Sequence, residues 1–150
     1  MTEVDGFETF VGRVEPSLRR ALVGHLPLDA VADAVAEALA YAWQHWDRVQ
    51  NLANPGGYLF RVAQSRSRRR LDGLLPGPDP QRLPHVEPLL GEAMRGLSAQ
   101  QRSAVWLVHA CGWTYSEAAE ALGVTPSAVG THVARGMARL RERLGVAKDA

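Results

Sequence analysis

Apolar side chains recur every three or four residues along the first half of the chain, which is the spacing of amphipathic α-helices. One such stripe runs from Phe7 to Leu22, and Pro16 inside it marks either a helix start or a kink. A second stripe runs from Val31 to Trp46 and includes Trp43. Because no stretch alternates with a period of two, the pattern predicts helices and no strands.

A third helix is predicted after the turn sequence Asn-Pro-Gly-Gly at 54–57. Tyr58, Leu59 and Ala63 lie on its apolar side, and its second half is strongly basic. The N-terminal 72 residues therefore read as one small helical domain.

The next stretch, 72–96, holds five prolines and four glycines in 25 residues. This density predicts a linker and no helix. We therefore expect an all-α protein with two small helical domains, at 1–72 and 97–150, joined by a Pro/Gly-rich linker at 73–96.

The C-terminal segment carries the capping signals of three helices. Ser98 opens a capping box, and the helix that it caps is expected to end near Gly112. Thr114 opens a second capping box and a short helix that Gly123 closes, and Thr125 caps a longer helix whose first residue is proline. A short helix, a tight glycine turn and a longer helix form the arrangement of a helix-turn-helix DNA reader.

The outer side of the longer helix is polar and basic, as a DNA-reading helix requires. The residues that would face DNA are Ser127, Thr131, His132, Arg135 and Arg139. Capped helices around a glycine also occur in ordinary bundles, but the additional arginines at 141 and 143 favour DNA, because arginine binds phosphate.

The distribution of charge along the chain is more informative about binding partners than the net charge. The formal net charge is +1, which does not by itself indicate a nucleic-acid partner. Acidic residues lie between Asp29 and Asp47, whereas arginines lie between Arg61 and Arg70. Separated charges of this kind suggest two surfaces with different partners.

Groups suited to catalysis or metal binding are few. The five histidines never stand at ligand spacing with the single cysteine, Cys111, so we expect neither a metal site nor another cofactor. Asp33 and Glu37 form a carboxylate pair, but no histidine, lysine or Gly-rich phosphate loop accompanies them. An enzyme is therefore the least supported class. Cys111 is expected to be a small buried residue and not a redox sensor.

No stretch is long and apolar enough for a membrane span, and the first residues lack the layout of a signal peptide. We therefore expect a cytoplasmic protein without a membrane partner.

Three segments carry motifs in a specific order. Residues 33–43 read Asp-Ala-Val-Ala-Glu-Ala-Leu-Ala-Tyr-Ala-Trp, residues 54–63 read Asn-Pro-Gly-Gly-Tyr-Leu-Phe-Arg-Val-Ala, and residues 97–144 contain the helix-turn-helix. Together they resemble the extracytoplasmic-function group of bacterial RNA polymerase sigma factors over nearly the whole chain. The resemblance implies core RNA polymerase and promoter DNA as partners, with an anti-sigma protein or an activator as a further one.

The resemblance also implies roles for individual residues. The first motif would bind the polymerase through Asp33, Glu37 and Gln44. The second leads into the helix that opens and reads the minus-ten promoter element, through Arg61, Gln64, Ser65, Arg66, Arg68, Arg69 and Arg70. The helix-turn-helix would read the minus-thirty-five element through the five residues of its outer side.

Several positions depart from the family pattern. Ala36 and Tyr41 stand where the family usually has Gln and Arg, and His132 stands where an Arg is common. Gly130 replaces a common Lys and Gly136 a common Ala, and a glycine inside a helix costs roughly 1 kcal/mol relative to alanine. We therefore expect weak reading of the upstream element. A helix-turn-helix regulator that acts without polymerase, a sigma-like factor that needs an activator, and a helical adaptor that binds only protein remain as alternatives.

Overall fold

The computed structural model describes residues 2–70 and 88–145, and every regular element in these two ranges is helical. The predicted all-α fold is confirmed. Within the same ranges no helix is long and apolar enough to cross a bilayer. The elements are α1 (Glu3–Val23), α2 (Leu28–Gln44), α3 (Trp46–Val49), α4 (Pro55–Arg70), α5 (Pro88–Arg95), α6 (Ala99–Val105), a π-helical turn (Trp106–Ala110), α7 (Tyr115–Leu122) and α8 (Pro126–Leu144).

Helix starts follow the predicted capping residues. The amide of Gln101 donates to Ser98 Oγ at 3.1 Å, and the Ser98 amide donates to Gln101 Oε1 at 3.2 Å, so the first capping box is confirmed. The helix α1 runs through Pro16 without starting there, because Thr2 caps it and forms a further capping box with Asp5. These reciprocal bonds satisfy amide groups that the helix itself leaves without partners.

The π-helical turn extends α6 and ends as the sequence predicts. The Cys111 amide donates to the Trp106 carbonyl at 3.0 Å, one residue further than an α-helical bond reaches. Gly112 then takes a φ of 71°, and the Trp113 amide donates to the Leu107 carbonyl at 3.0 Å. This left-handed glycine stops the helix and turns Trp113 back toward the core.

The prediction that 72–96 contains no helix is wrong for its last part, because α5 occupies Pro88–Arg95. Pro88 is the first helical residue, where its missing amide hydrogen costs nothing. Ala93 and Met94 are buried against α8 together with Leu97, and this burial outweighs the poor helix propensity of the stretch. The linker residues at 71–87 lie outside the described residues.

One hydrophobic core joins the two halves of the chain. Helices α1, α2 and α4 pack on one another, α7 packs on α4, and α6 and α8 pack together. The same cluster of buried residues contains Leu18, Leu22 and Phe60 from the N-terminal half and Leu107 and Val129 from the C-terminal half. The division into separate domains at 1–72 and 97–150 stays a prediction, and in this structure the two halves are docked.

Two tryptophans of the C-terminal half make the docking contacts with α1. Trp113 Nε1 donates to Ser17 Oγ at 2.9 Å, and Trp106 Nε1 donates to the Arg20 carbonyl at 3.1 Å. Trp106 lies directly over Gly24, where an added Cβ would come within 2.2 Å of the indole. The halves can therefore approach this closely only because residue 24 has no side chain.

Trp43 lies at the rim of the N-terminal half. Its place in the apolar stripe predicts core or rim packing, and it is 47% exposed. On a helix it lies about 100° from buried Ala42, at the margin of the apolar face, and it contacts Phe7 at a ring separation of 4.9 Å. Trp43 therefore covers the edge of the core instead of filling it.

His25 is buried at the junction of the halves. Its Nδ1 lies 2.8 Å from the Ala21 carbonyl, so Nδ1 carries the hydrogen and Nε2 accepts from Ser103 Oγ at 3.0 Å. Burial lowers the pKa of His25 to about 4, and the positive charge of Arg102 acts in the same direction, while the bond to Ala21 opposes the shift. The junction therefore requires the neutral imidazole.

Acidification should weaken the folded state through His25. The pKa of His25 is the ordinary 6.5 in the unfolded chain and about 4 in the folded chain. The contribution of neutral His25 to folding stability is therefore complete above pH 6.5 and is lost as the pH falls toward 4. Lowering the pH from 7.5 to 5.0 should reduce the free energy of unfolding by roughly 2 kcal/mol from this group. Urea unfolding of the wild type and of His25→Gln at both pH values measures the difference, and equal pH dependence in the two proteins would contradict the assignment.

Candidate nucleic-acid interface

The helix-turn-helix forms as predicted. Glu117 completes the capping box with Thr114, through bonds of 3.1 and 2.9 Å. Gly123 takes a φ of 68° between the two helices, and Thr125 Oγ1 accepts from the Ala128 amide at 3.1 Å. The turn thus positions α8 as the longer second helix.

Four of the five residues predicted to face DNA lie on the open side of α8. Ser127, Thr131, Arg135 and Arg139 are exposed. His132 is half-buried and lines a cleft of about 140 Å³ with side chains of α6 and of the turn. The DNA-reading role of all five stays a prediction, and His132 is the one that faces the protein.

The two glycines within α8 have different surroundings. Gly136 is buried, and an added Cβ would lie 2.7 Å from Val105 Cγ2, so the close contact of α6 with α8 depends on the missing side chain. At Gly130 an added Cβ would lie 3.3 Å from Tyr115 Cε2, and this ring is 46% exposed and can move. The cost expected from helix propensity is thus offset by packing at Gly136 but not at Gly130.

The predicted minus-ten residues lie along α4. Arg61, Ser65 and Arg66 are exposed, and Gln64 is half-buried. The backbone of the last three predicted arginines, at 68–70, belongs to the helix. The buried side of α4 carries Leu59, Phe60 and Ala63, so the exposed basic residues form its outer face.

The predicted polymerase-binding residues share one side of α2. Asp33 and Gln44 are exposed and Glu37 is half-buried, and their spacing of four and seven residues places them within about 40° around the helix axis. This acidic strip faces away from the buried residues Val35 and Ala38.

Sequence reasoning missed one cluster beside these surfaces. The Tyr41 and Tyr58 hydroxyl groups lie 2.9 Å apart, Arg48 lies over the Tyr58 ring, and Arg66 lies over the Tyr41 ring. Only the packing of α2 and α3 against α4 brings these residues together, so no local pattern marks them.

The remaining candidate groups are the cysteine and the potential metal ligands. Cys111, predicted to be buried, is half-buried, and this burial raises the pKa of its thiol to about 12, which keeps it protonated at neutral pH. Among residues 2–70 and 88–145, no three His, Cys, Asp or Glu side chains are grouped as metal ligands would be.

Comparisons with known proteins agree with this geometry. The family model for sigma-70, region 4, matches residues 89–140. A comparison with curated proteins gives no match.

Two solved structures are similar over almost the whole chain. The sigma factor RpoE from Bartonella quintana, in complex with the anti-sigma factor NepR, is 26% identical with a TM-score of 0.71, over 95% of this chain and 99% of that one. CnrH, in complex with the cytosolic domain of CnrY, is 22% identical with a TM-score of 0.64, and the match covers 97% of this chain and 92% of CnrH. The helix-turn-helix carries the region 4 match, and the whole chain shares the fold of a solved sigma factor, so the comparisons support the resemblance to the extracytoplasmic-function group.

Proposed function

We propose that the chain binds core RNA polymerase and directs it to promoter DNA through three separate surfaces. The acidic strip of α2, defined by Asp33, Glu37 and Gln44, contacts the polymerase. The outer face of α4 holds the non-template strand of the minus-ten element, and the open side of α8 reads the minus-thirty-five element in the major groove. The observation that carries the proposal is the exposure of polar and basic side chains on both α4 and α8, the latter within a region 4 helix-turn-helix.

The proposed action requires the docked halves to separate. Elements centred at minus ten and minus thirty-five are about 25 base pairs apart, which is about 85 Å along B-DNA. A compact chain of this length is roughly 40 Å across, so a docked molecule cannot place α4 and α8 on both elements. Residues 71–87 could span about 56 Å if extended, which supplies most of the needed separation. We therefore interpret the docked arrangement as the form that does not initiate transcription.

A protein partner fits this interpretation. Both solved relatives are complexes, one with an anti-sigma factor and one with the cytosolic domain of CnrY. We propose that an anti-sigma protein likewise binds this chain and favours the docked form. Since the polymerase and the promoter are in the cytoplasm, the chain acts there, by binding and not by catalysis.

Charge reversal on α2 should weaken polymerase binding. Asp33→Lys together with Glu37→Lys replaces the acidic strip with a basic one. The affinity for core polymerase should fall about tenfold or more, because attraction between the acidic strip and a basic polymerase surface is replaced by repulsion. Glu8→Lys, an exposed charge reversal on α1, is the control. Unchanged affinity in a double variant that keeps its helical circular-dichroism spectrum would refute this polymerase-binding surface.

A side chain at residue 24 should open the molecule. Gly24→Ala places a methyl group against the Trp106 indole and should shift the docked form toward the separated one, because the packed interface cannot accept the added volume. Gly12→Ala is the matched control, since nothing lies within 4 Å of a Cβ there. Small-angle scattering should give a larger radius of gyration for Gly24→Ala alone, and promoter-dependent transcription by the reconstituted holoenzyme should rise. Equal radii for both variants would contradict the proposed opening.

A lysine at residue 130 should strengthen DNA binding by the recognition helix. Gly130→Lys adds a charge on α8, and each new phosphate contact steepens the plot of log affinity against log salt by about 0.9. Gly130→Ala adds the same Cβ beside Tyr115 without the charge and should leave the slope unchanged. Equal slopes for the lysine and alanine variants on duplex promoter DNA would mean that this part of α8 does not face the DNA.

A further inference from the structure

A compact cluster of two tyrosines and two arginines lies where α2, α3 and α4 meet. The Arg48 guanidinium carbon is 5.4 Å from the centre of the Tyr58 ring, and that of Arg66 is 5.3 Å from the centre of the Tyr41 ring. The two hydroxyl groups are joined by the hydrogen bond of 2.9 Å. The cluster thus places one guanidinium group over each ring of a hydrogen-bonded tyrosine pair.

Both arginines are available to an anion. Arg48 and Arg66 are exposed, and within residues 2–70 and 88–145 neither forms a salt bridge with a carboxylate. Arg19 on α1 differs, because its guanidinium donates to Glu15 Oε1. A cation–π contact restricts a guanidinium without using its five N–H donors, so the tyrosine rings position the two cations and leave their hydrogen bonds free.

The hydroxyl pair can add a hydrogen bond to the same ligand. The bond to Tyr58 is the largest cause that raises the pKa of Tyr41, and burial acts in the same direction, so the hydroxyl is protonated at neutral pH. In a pair of hydroxyl groups one donates to the other, and the second keeps its hydrogen for a further acceptor. The cluster therefore offers donors and no negative charge of its own.

The position of the cluster indicates which anion it meets. Tyr58, predicted on the apolar side of α4, is half-buried, and it stands three residues before the exposed Arg61, so the cluster lies at the edge of the outer face of that helix. The Tyr41 ring is already occupied, by Arg66 and by His45 at a ring separation of 4.3 Å. An unstacked base would have to compete with Arg66 and His45 for this ring, whereas a phosphate group would find guanidinium groups and a hydroxyl.

We infer that Arg48 and Arg66, positioned by Tyr58 and Tyr41, bind a backbone phosphate of the single-stranded minus-ten DNA. The inference rests on the proposed function and extends it, since Arg66 is the one member of the cluster that the sequence assigns to this strand. Tyr41 and Tyr58 act as positioning residues, and their hydroxyl pair adds one donor to the phosphate. The site reads no sequence and fixes where the strand lies on α4.

The test measures binding of the full chain to a fluorescein-labelled oligothymidylate of twelve nucleotides by anisotropy over a series of salt concentrations. Both arginines are exposed in the docked form, so the free chain presents the site. Arg48→Gln with Arg66→Gln should lower the affinity about tenfold and reduce the salt slope by about 0.7 for each phosphate that the variant no longer binds. The matched control is Arg13→Gln with Arg19→Gln, which removes the same charge from α1 and includes an arginine that also lies over a ring, 5.9 Å from the centre of Phe10.

A second pair of substitutions tests the positioning role. Tyr41→Phe with Tyr58→Phe keeps both rings under the arginines and removes the hydroxyl donors, so the affinity should fall while the salt slope stays the same. The inference is overturned if the arginine pair and its control bind with equal affinity and slope, or if the wild-type chain does not bind the oligonucleotide. Gel filtration with core polymerase tests the proposed function separately from the phosphate site. If the chain binds polymerase but the arginine substitutions leave oligonucleotide binding unchanged, the proposed function stands and the phosphate site is refuted.

Discussion

The docking of Trp106 and Trp113 onto α1 is the contact on which the arrangement of the whole molecule depends. Their indole nitrogens reach partners 86 and 96 residues earlier in the chain. Full burial of a large apolar side chain, as at Trp113, contributes roughly 1.5–3 kcal/mol, Trp106 is half-buried, and the indole N–H of each finds an acceptor. Because α7 follows Trp113 directly, fixing that ring on α1 also fixes α7 on α4. The position of the helix-turn-helix relative to α4 thus depends on these two side chains together with the shared core.

The interface between the halves favours docking, whereas the proposed activity requires separation. Gly24 allows the close approach of the halves and neutral His25 is buried between them, and both favour the docked halves. The proposed activity on two distant promoter elements needs the halves apart. An interface held by side-chain packing, and not by a continuous backbone element, can form and still be opened by a partner that prefers the separated form.

Local features of the fold could be predicted from sequence, whereas the relations between distant residues could not. The capping boxes at Ser98 and Thr114 and the turn at Gly123 depend on residues within four positions of one another, so the sequence shows them directly. The helix α5 was missed because its stability comes from burial against α8 and not from its own composition. The bond between His25 and Ser103 joins residues 78 apart and has no local signature.

The candidate surfaces also include features that the sequence predicts and features that depend on contacts between distant residues. The exposure of Asp33 and Arg135 follows from helical phase, which the apolar stripe reveals. His132 lies on the same predicted side of α8, yet it is half-buried in a cleft with α6, a contact that depends on the angle between two helices. Tyr41 departs from the family pattern, and the structure supplies a reason for tyrosine, which meets Tyr58 and Arg66 there.

The π-helical turn at Trp106–Ala110 also determines how the chain tolerates changes in length. It contains one residue more than an α-helical turn would need, so the direction of every residue after it is set by that extra residue. A deletion here that restored α-helical pitch would rotate the following chain by about 100° and shift it by about 1.5 Å. Trp113 would then no longer point at Ser17, although every residue of the interface would still be present. Homologues that differ by one residue in this short segment would therefore share the helices of this protein but not the way in which its halves meet.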